Sequence, residues 1–515
     1  MKRDPVVVIG AGFGGLAAAV RMRAQGHDVV VLEGMDQPGG RAAVFRRDGF
    51  TFDAGPTVIT APYLLHELFS LVGRDWRDYF ELVPVDPFYR VELPDGSRFD
   101  CVGDEERLIE QIRALSPADV DGYRKLAAHA ERIFDVGYTQ LSDVPFGRLR
   151  DMLAVVPAMM RLGNWRSVYG QVSKYIRDER LRQVFSFEPL LVGGNPFRVT
   201  SIYLLIHWLE RKWGVWFAKG GTTSIVHALV RLLEEIGVDV RLGTPVERIE
   251  VRDGRAVAVH AGGRRIAASA VIANADPTHV YGTLIEPDQR SWKVRASQAT
   301  RRYSMGLFVG YFGTRKTYPG LAHHTILLGP RYRELLRDIF DRKVLADDFS
   351  LYLHAPTRTD PSLGPPGCET FYVLSPVPNT QAGIDWETVG PAYFDRILDH
   401  LDASYLPDFR DNLVTQFHVT PHYFRDTLRS THGAGFGIEP RLAQSAYFRY
   451  HNRSPHFDGL YFVGAGTHPG AGVPGVLSTA KVVERLVPPP PDPLPVPPSS
   501  DRRAAARAEE RTVPA

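Results

Sequence analysis

The stretch Val6-Val7-Val8-Ile9-Gly10-Ala11-Gly12-Phe13-Gly14-Gly15 decides how this chain is read. Four β-branched residues in a row suit a strand buried on both faces, and the glycines that follow end it abruptly. Residues 14–25 then have the spacing of a helix, and Val-Val-Val-Leu at 29–32 reads as a second buried strand. Strand, glycine turn, helix and strand within about 30 residues make a βαβ unit of the dinucleotide-binding kind. In the G-x-G-x-x-G pattern closed by Gly14 and Gly15, Gly10 makes the tight turn and Gly12 lets backbone approach a pyrophosphate, while Gly15 lets helix pack closely on strand. The helix N-terminus then turns free N–H groups and a positive dipole end toward the phosphates. Glu33, at the end of the second strand, is positioned to accept hydrogen bonds from a ribose hydroxyl.

NAD and FAD share this fingerprint, so a second signal must choose between them. Gly39-Gly40-Arg41 follows the acidic residue closely and suits an outstretched cofactor, with a guanidinium able to reach phosphate or flavin edge. At the other end of the chain, LYFVGAGTHPGAGVPGV (460–476) again runs from strand through glycines into a helix. Its Gly464, Ala465, Gly466, Gly472, Val473, Pro474, Gly475 and Val476 aim a second set of backbone N–H groups, and the isoalloxazine end of FAD is the natural target.

The 515 residues exceed one compact core, so interlocked domains are expected. A net charge of +2 excludes a global field for nucleic acid. Cys101 and Cys368 stand far apart without metal-type spacing, so neither a disulfide scaffold nor a metal site is expected, and a reducing cytoplasm fits. The N-terminus reads as strand and turn rather than a secretory signal. The longest other apolar run, residues 199–209, falls short of the roughly 20 residues a spanning helix needs. Residues 104–209 read as helical. A helix is expected at 224–236, with strands at 238–242, 246–251, 256–260 and 270–273, and a second sheet at 303–312, 350–354 and 369–375. The segment 488–515 opens with eight prolines in 11 residues and is expected to be disordered.

These features, with GFTFDAGPTVIT (49–60), WRSVYG (165–170), LRQVFSFEPLLVGGNPF (181–197), ERKWGVWFAKGG (210–221), ANAD (273–276), AHHT (322–325), GPRYREL (329–335), FYVLSPVPNT (371–380) and FGIEPRLAQSAYFRYHN (436–452), resemble the bacterial-type phytoene desaturases of the FAD-dependent amine-oxidase-like superfamily. The likeness runs from about residue 5 to about residue 487. It implies an α/β fold: a Rossmann-like FAD-binding domain, a mixed-sheet substrate domain and a helical membrane-associating lobe. The expected division is 1–100, 210–290 and 440–487 for the FAD domain, 101–209 for the helical lobe and 291–439 for the substrate domain.

The resemblance also implies FAD contacts at Gly55, Pro56, Thr57 and Val246. The implied activity is successive dehydrogenation of 15-cis-phytoene, through phytofluene and zeta-carotene, to neurosporene, lycopene or both. Oxygen or a quinone would take the electrons, and the protein would sit peripherally on the cytoplasmic side of the membrane, with homo-oligomers allowed. A related carotenoid desaturase or isomerase, or a non-catalytic prenyl-lipid escort, are the alternatives.

Asp151 beside Arg150 matches a position regarded as an acid/base in that family, although Ala154 stands where relatives commonly carry another Arg. Asp151 reads equally as a helix-start acid paired with Arg150. His323, His324 and Arg331 are further polar candidates. Trp208, Trp213, Trp216 and Phe217 read either as tunnel lining or as core, and residues 151–185 either as an interfacial helix pair or as a solvated face.

Overall fold

The computed structural model describes residues 4–498. Strand β1 (Val6–Ile9), helix α1 (Phe13–Ala24) and strand β2 (Val29–Leu32) form the expected unit. They belong to a five-stranded parallel sheet with spatial order Leu460–Phe462, Ala270–Ala273, β1, β2, Asp239–Arg241. The sequence Val-Val-Val-Ile is apolar throughout because both of its sides are covered. Val6 and Val8 join a core with α1 and helix Thr223–Glu235, while Val7 and Ile9 face the antiparallel meander Val246–Arg252, Arg255–Ala261, Arg264–Ala267.

A seven-stranded mixed sheet carries the strands Leu413–Val419, Gly306–Thr314, Glu369–Val377, Leu351–His354, His324–Leu327, Tyr89–Glu92 and Arg98–Cys101, in that spatial order. Strand alternation divides its side chains. Phe308, Phe312, Phe371 and Val373 pack under the helix Trp386–Ser404, whereas Leu307, Val309, Ile326, Tyr352 and Tyr372 point to the other face. Gly310 lies on the helix-facing side, where a Cβ would come within 2.1 Å of the Phe394 ring.

Most expected elements lie within a few residues of their predicted bounds, including helix Thr223–Glu235 and strands Gly306–Thr314, Leu351–His354 and Glu369–Val377. One boundary differs. Residues 89–101, assigned by sequence partly to the FAD domain, instead extend the edge of the seven-stranded sheet, with Tyr89–Glu92 parallel to His324–Leu327. Their alternation buries Tyr89, Val91 and Phe99, a face that only a sheet partner and the helices above it can cover. Helices Glu105–Leu115 and Val120–Phe134 share that same core through Leu108, Ile112, Leu126 and Ile133.

The proline-rich segment 488–498 is not the loose chain expected of it. Buried Arg23 donates from Nη1 to the carbonyl of Leu494 (3.0 Å) and from Nη2 to that of Pro495, the Leu494 N–H donates to Gly26 (2.8 Å), and Arg74 donates to Pro497 (3.0 Å). Proline has no N–H to satisfy, so donors for its carbonyls decide whether such a segment docks, and two arginines supply them. Residues 499–515, the rest of the expected disordered tail, lie outside the described residues. Among the described residues, no helix is long and apolar enough to cross a membrane.

Gly310→Ala forces the new methyl into the Phe394 ring, and an overpacked core of this kind costs about 1–3 kcal/mol. A urea unfolding curve should show a lowered midpoint with an unchanged slope. An unchanged midpoint would mean that the helix Trp386–Ser404 shifts without cost.

Candidate functional site

The carboxyl ends of the parallel strands open on one cavity of about 950 Å³. Gly10 turns out of β1 with φ +93°, and α1 begins behind it with Gly12 at its N-cap and no side-chain cap. Gly15 packs against this turn, because a Cβ there would stand 2.0 Å from the Gly10 carbonyl oxygen. The helix Val473–Leu486 likewise begins without a side-chain cap, at Gly472. Uncapped first-turn N–H groups of two helices therefore serve one cavity, an arrangement suited to anions and electron-rich groups.

Glu33 is buried and already shapes the loop. One carboxylate oxygen accepts from the Ala11 N–H (2.7 Å), the other from the Met35 N–H (3.0 Å). Gly39 donates its N–H to Ala11 (2.9 Å), which holds the second glycine pair against the first turn. Gly40, at φ +54°, meets nothing within 4 Å of where a Cβ would stand. Arg41 donates to Ser430 Oγ (2.7 Å), yet its Nε is buried without a partner. Open space beside backbone, uncapped helix starts and an orphaned guanidinium nitrogen fit a long dianionic cofactor such as FAD.

Every predicted cofactor residue except Gly15 lines this cavity: Gly10, Gly12, Gly14, Glu33, Gly39, Gly40, Arg41, Gly55, Pro56, Thr57, Val246, Gly464, Ala465, Gly466, Gly472, Val473, Pro474, Gly475 and Val476. Beyond them the wall turns apolar, with Leu191, Ile202, Leu307, Val309, Ile326 and Leu328. The cavity thus joins a polar, glycine-rich end to a greasy end made largely by the free face of the seven-stranded sheet.

Asp151 and Arg150 are not on this wall. They stand in the first turn of helix Leu149–Arg161, where Asp151 accepts from the Arg148 N–H (3.0 Å) and Arg150 is 73% exposed. A helix start needs acceptors, and the carboxylate is used for that, while helical periodicity turns Met152, Val155 and Met159 toward the cavity instead. Arg331 lies at the surface between Asp338 and Asp348, 2.8 Å from each. Trp208, Trp213, Trp216 and Phe217 pack in the core and none lines the cavity; Trp213, for example, lies against Tyr63, Phe134 and Tyr138. His323 and His324 are buried behind the wall.

Several groups of consequence carried no sequence signal. Tyr89 and Glu210 line the cavity, and the Tyr89 hydroxyl donates to Glu210 (2.7 Å). Burial pushes the Glu210 carboxyl well above the usual range, and the nearby Glu188 adds to this; Glu188 is raised likewise by burial and lies 3.2 Å from His207 Nδ1. Burial pushes His207 down to about 3. Arg449, 2% exposed, donates to the carbonyls of Thr467 (2.9 Å) and Ala465 (2.6 Å) and so sets the shape of the second glycine turn. A single charge among aromatics, in the stretch FRYHN, was its only mark in the sequence.

A family model, flavin containing amine oxidoreductase, matches residues 13–483. A phytoene desaturase (lycopene-forming) from Pantoea ananas is 50% identical over 94% of this chain and 99% of its own length. A neurosporene-forming phytoene desaturase from Rhodobacter capsulatus is 43% identical over 95% of this chain and 94% of its own. Among solved structures, an oxidoreductase from Methanosarcina mazei aligns with TM-score 0.65 at 19% identity, over 93% of this chain and 99% of its own, a likeness of fold.

Asp53 underlies the cavity segment Ala54 to Thr57, and its Oδ1 accepts from the Thr222 N–H (2.8 Å). Burial raises this carboxyl from 3.8 to about 7, against the opposing pull of that N–H. The folded state therefore holds the proton more tightly than the unfolded chain. The resulting stability is present below pH 4 and is lost as pH climbs through 7. In Asp53→Asn, urea midpoints measured from pH 4.5 to 7.5 should lose that decline, so that variant minus wild type rises with pH; a flat difference would remove the assignment.

Proposed function

The chain belongs to the flavin-containing amine oxidoreductases and, within them, to the bacterial phytoene desaturases, and from that membership we infer that it is an FAD-dependent oxidoreductase of carotenoid biosynthesis that dehydrogenates 15-cis-phytoene stepwise toward neurosporene or lycopene. The observation that carries this reading is one continuous cavity with two uncapped glycine turns at one end and an apolar wall at the other.

Each desaturation takes a hydride and a proton from neighbouring carbons. FAD, when bound, supplies the hydride acceptor. Gly10, Gly12 and Gly14 at the start of α1 would hold its pyrophosphate, and Glu33 and Val246 its adenosine end. Arg41, Thr57 and the Gly464 to Val476 turn would hold the ring end. The protein's remaining work is orientation and exclusion of water.

A hydrocarbon already in lipid gains little by moving to another apolar place, since the hydrophobic gain of about 25 cal/mol per Å² belongs to area taken out of water. Shape must therefore select it, and the sheet face supplies a fixed wall. We assign the proton to Glu210 rather than Asp151. Burial favours the protonated form of Glu210, so the carboxyl must first release its proton, and the ionised carboxylate beside the Tyr89 hydroxyl in an apolar wall then binds a proton avidly.

We further assign peripheral attachment, on the cytoplasmic face of the membrane, to helix Leu149–Arg161 and the turn after it. Leu149, Leu153, Met160 and Trp165 are 50–61% exposed there, flanked by Arg161 and Arg166, the mixture of an interfacial helix. Met152, Val155 and Met159 of the same helix line the cavity. Oxygen or a quinone is the final electron acceptor in this reading.

Incubation with phytoene-loaded liposomes and FAD, followed by the absorption spectrum of the extract, tests the activity and distinguishes neurosporene from lycopene by conjugation length. Phytoene left unchanged, both in air and under nitrogen with added quinone, overturns it. Glu210→Gln should lower turnover by about 10² to 10⁴-fold with the FAD still bound, and an unaltered rate would return the proton to another group. Leu153→Asp together with Met160→Asp should abolish flotation with liposomes while leaving FAD content intact. Continued flotation would move the docking surface elsewhere.

A further inference from the structure

Behind the cavity wall three histidines converge. His324 opens the strand His324–Leu327, His323 precedes it, and His354 ends the neighbouring antiparallel strand in register with His324. His323 and His354 are 31 positions apart in sequence, and strand pairing alone brings them together. Their exposures are 5%, 0% and 0%, for His323, His324 and His354. One ring nitrogen of each lies within 4.8 Å of the other two, and His323 Nε2 stands 3.1 Å from His354 Nε2.

The ring nitrogens on the far sides are fixed by oxygens. His323 Nδ1 is 2.6 Å from Thr359 Oγ1, and His324 Nδ1 is 2.6 Å from the Tyr352 hydroxyl. A hydroxyl can accept from Nδ1–H, and in that arrangement Nε2 is left as a bare lone pair, which is what the outer partners of metal-bound histidines achieve. Meanwhile His324 Nε2 and His354 Nδ1 are buried with no partner. An unpaired polar atom in an apolar interior costs about 1–3 kcal/mol, and aliphatic residues would fill the same space without that cost.

We propose that His323, His324 and His354 bind one divalent transition-metal ion of the zinc class, each through one ring nitrogen. Imidazoles alone suit zinc, copper, iron or nickel rather than magnesium or calcium. Around a tetrahedral ion with Zn–N of about 2.0–2.1 Å, neighbouring nitrogens stand about 3.3 Å apart. One pair is already at that separation, and ring rotation closes the rest.

The ion would act on the cavity through one hydrogen-bond chain. With His324 bound through Nε2, its Nδ1–H donates to the Tyr352 oxygen, and the Tyr352 O–H is then directed at Thr57 Oγ1, 2.7 Å away on the cavity wall. The ion thereby orients a hydroxyl beside the Gly55-Pro56-Thr57 segment.

The full chain, purified without a polyhistidine tag from zinc-supplemented medium, should carry close to one equivalent of zinc by plasma mass spectrometry. Protein grown on cobalt should show the visible bands of a tetrahedral site, and X-ray absorption should find three imidazole nitrogens. His354→Gln should lower the metal content at least tenfold, and His227→Gln, on the exposed side of helix Thr223–Glu235, should leave it unchanged. Less than a tenth of an equivalent in wild type, with no cobalt bands, overturns the proposal and leaves a packed cluster of neutral rings. Should His354→Gln fail to fold, the wild-type metal content and absorption spectrum decide alone.

Discussion

Parallel pairing of Leu460–Phe462, Ala270–Ala273 and β1 is the constraint on which the rest depends. Parallel strands end at the same edge of a sheet, so whatever follows each strand is delivered to one place. The first strand delivers Gly10 to Gly15, and the last delivers Gly464 to Gly475, although more than four hundred residues separate them. The strand between is followed by Asn274, whose side chain crowds the Gly14 and Gly464 positions so closely that a Cβ at either would lie 2.6 Å from its oxygen. At Gly14 and at Gly464 a larger residue would have to displace the Asn274 side chain that lies between the two turns.

The seven-stranded sheet completes this arrangement by spending its two faces differently. One is closed by the helix Trp386–Ser404, and the other is left for the cavity and the helices around it. A rigid sheet face sets a fixed wall where a loop would not, which matters for a ligand recognised by shape. Arg449 and Asn452 play the matching part at the glycine end. Their side chains donate into the carbonyls of Ala465, Thr467 and His468 and hold a turn that has few side chains of its own.

What could be read from the sequence was whatever is local and periodic. The β-branched runs, the glycine spacing of both turns and the alternation of residues 369–375 each express a constraint satisfied within a few neighbours. Positions such as Gly55, Pro56, Thr57 and Val246 were legible only through resemblance, because nothing in their own neighbourhoods marks them. Glu210 looked like any charged residue of an amphipathic helix; only the packing of Tyr89 against it, across 121 positions, makes it a cavity group. His354 likewise had no meaning until a strand register brought it opposite His324. Asp151 shows the converse: the resemblance suggested chemistry, while its own neighbourhood read as a helix-start acid, and its helix uses it as a cap. The proline-rich segment was misread because composition predicts what a chain can bury by itself and says nothing of donors offered by Arg23 and Arg74.

The position of Leu460–Phe462 at the rim of the parallel sheet also bears on how the protein is made. A ribosome adds this strand well after Ala270–Ala273, and while the residues between are made Ala270–Ala273 is an unprotected border with unpaired amides. Half of the dinucleotide clasp is missing until then. Both halves of the clasp therefore exist together only once Leu460–Phe462 has been made, and until that strand takes its place the nascent chain has to be kept from pairing with strangers at the open border.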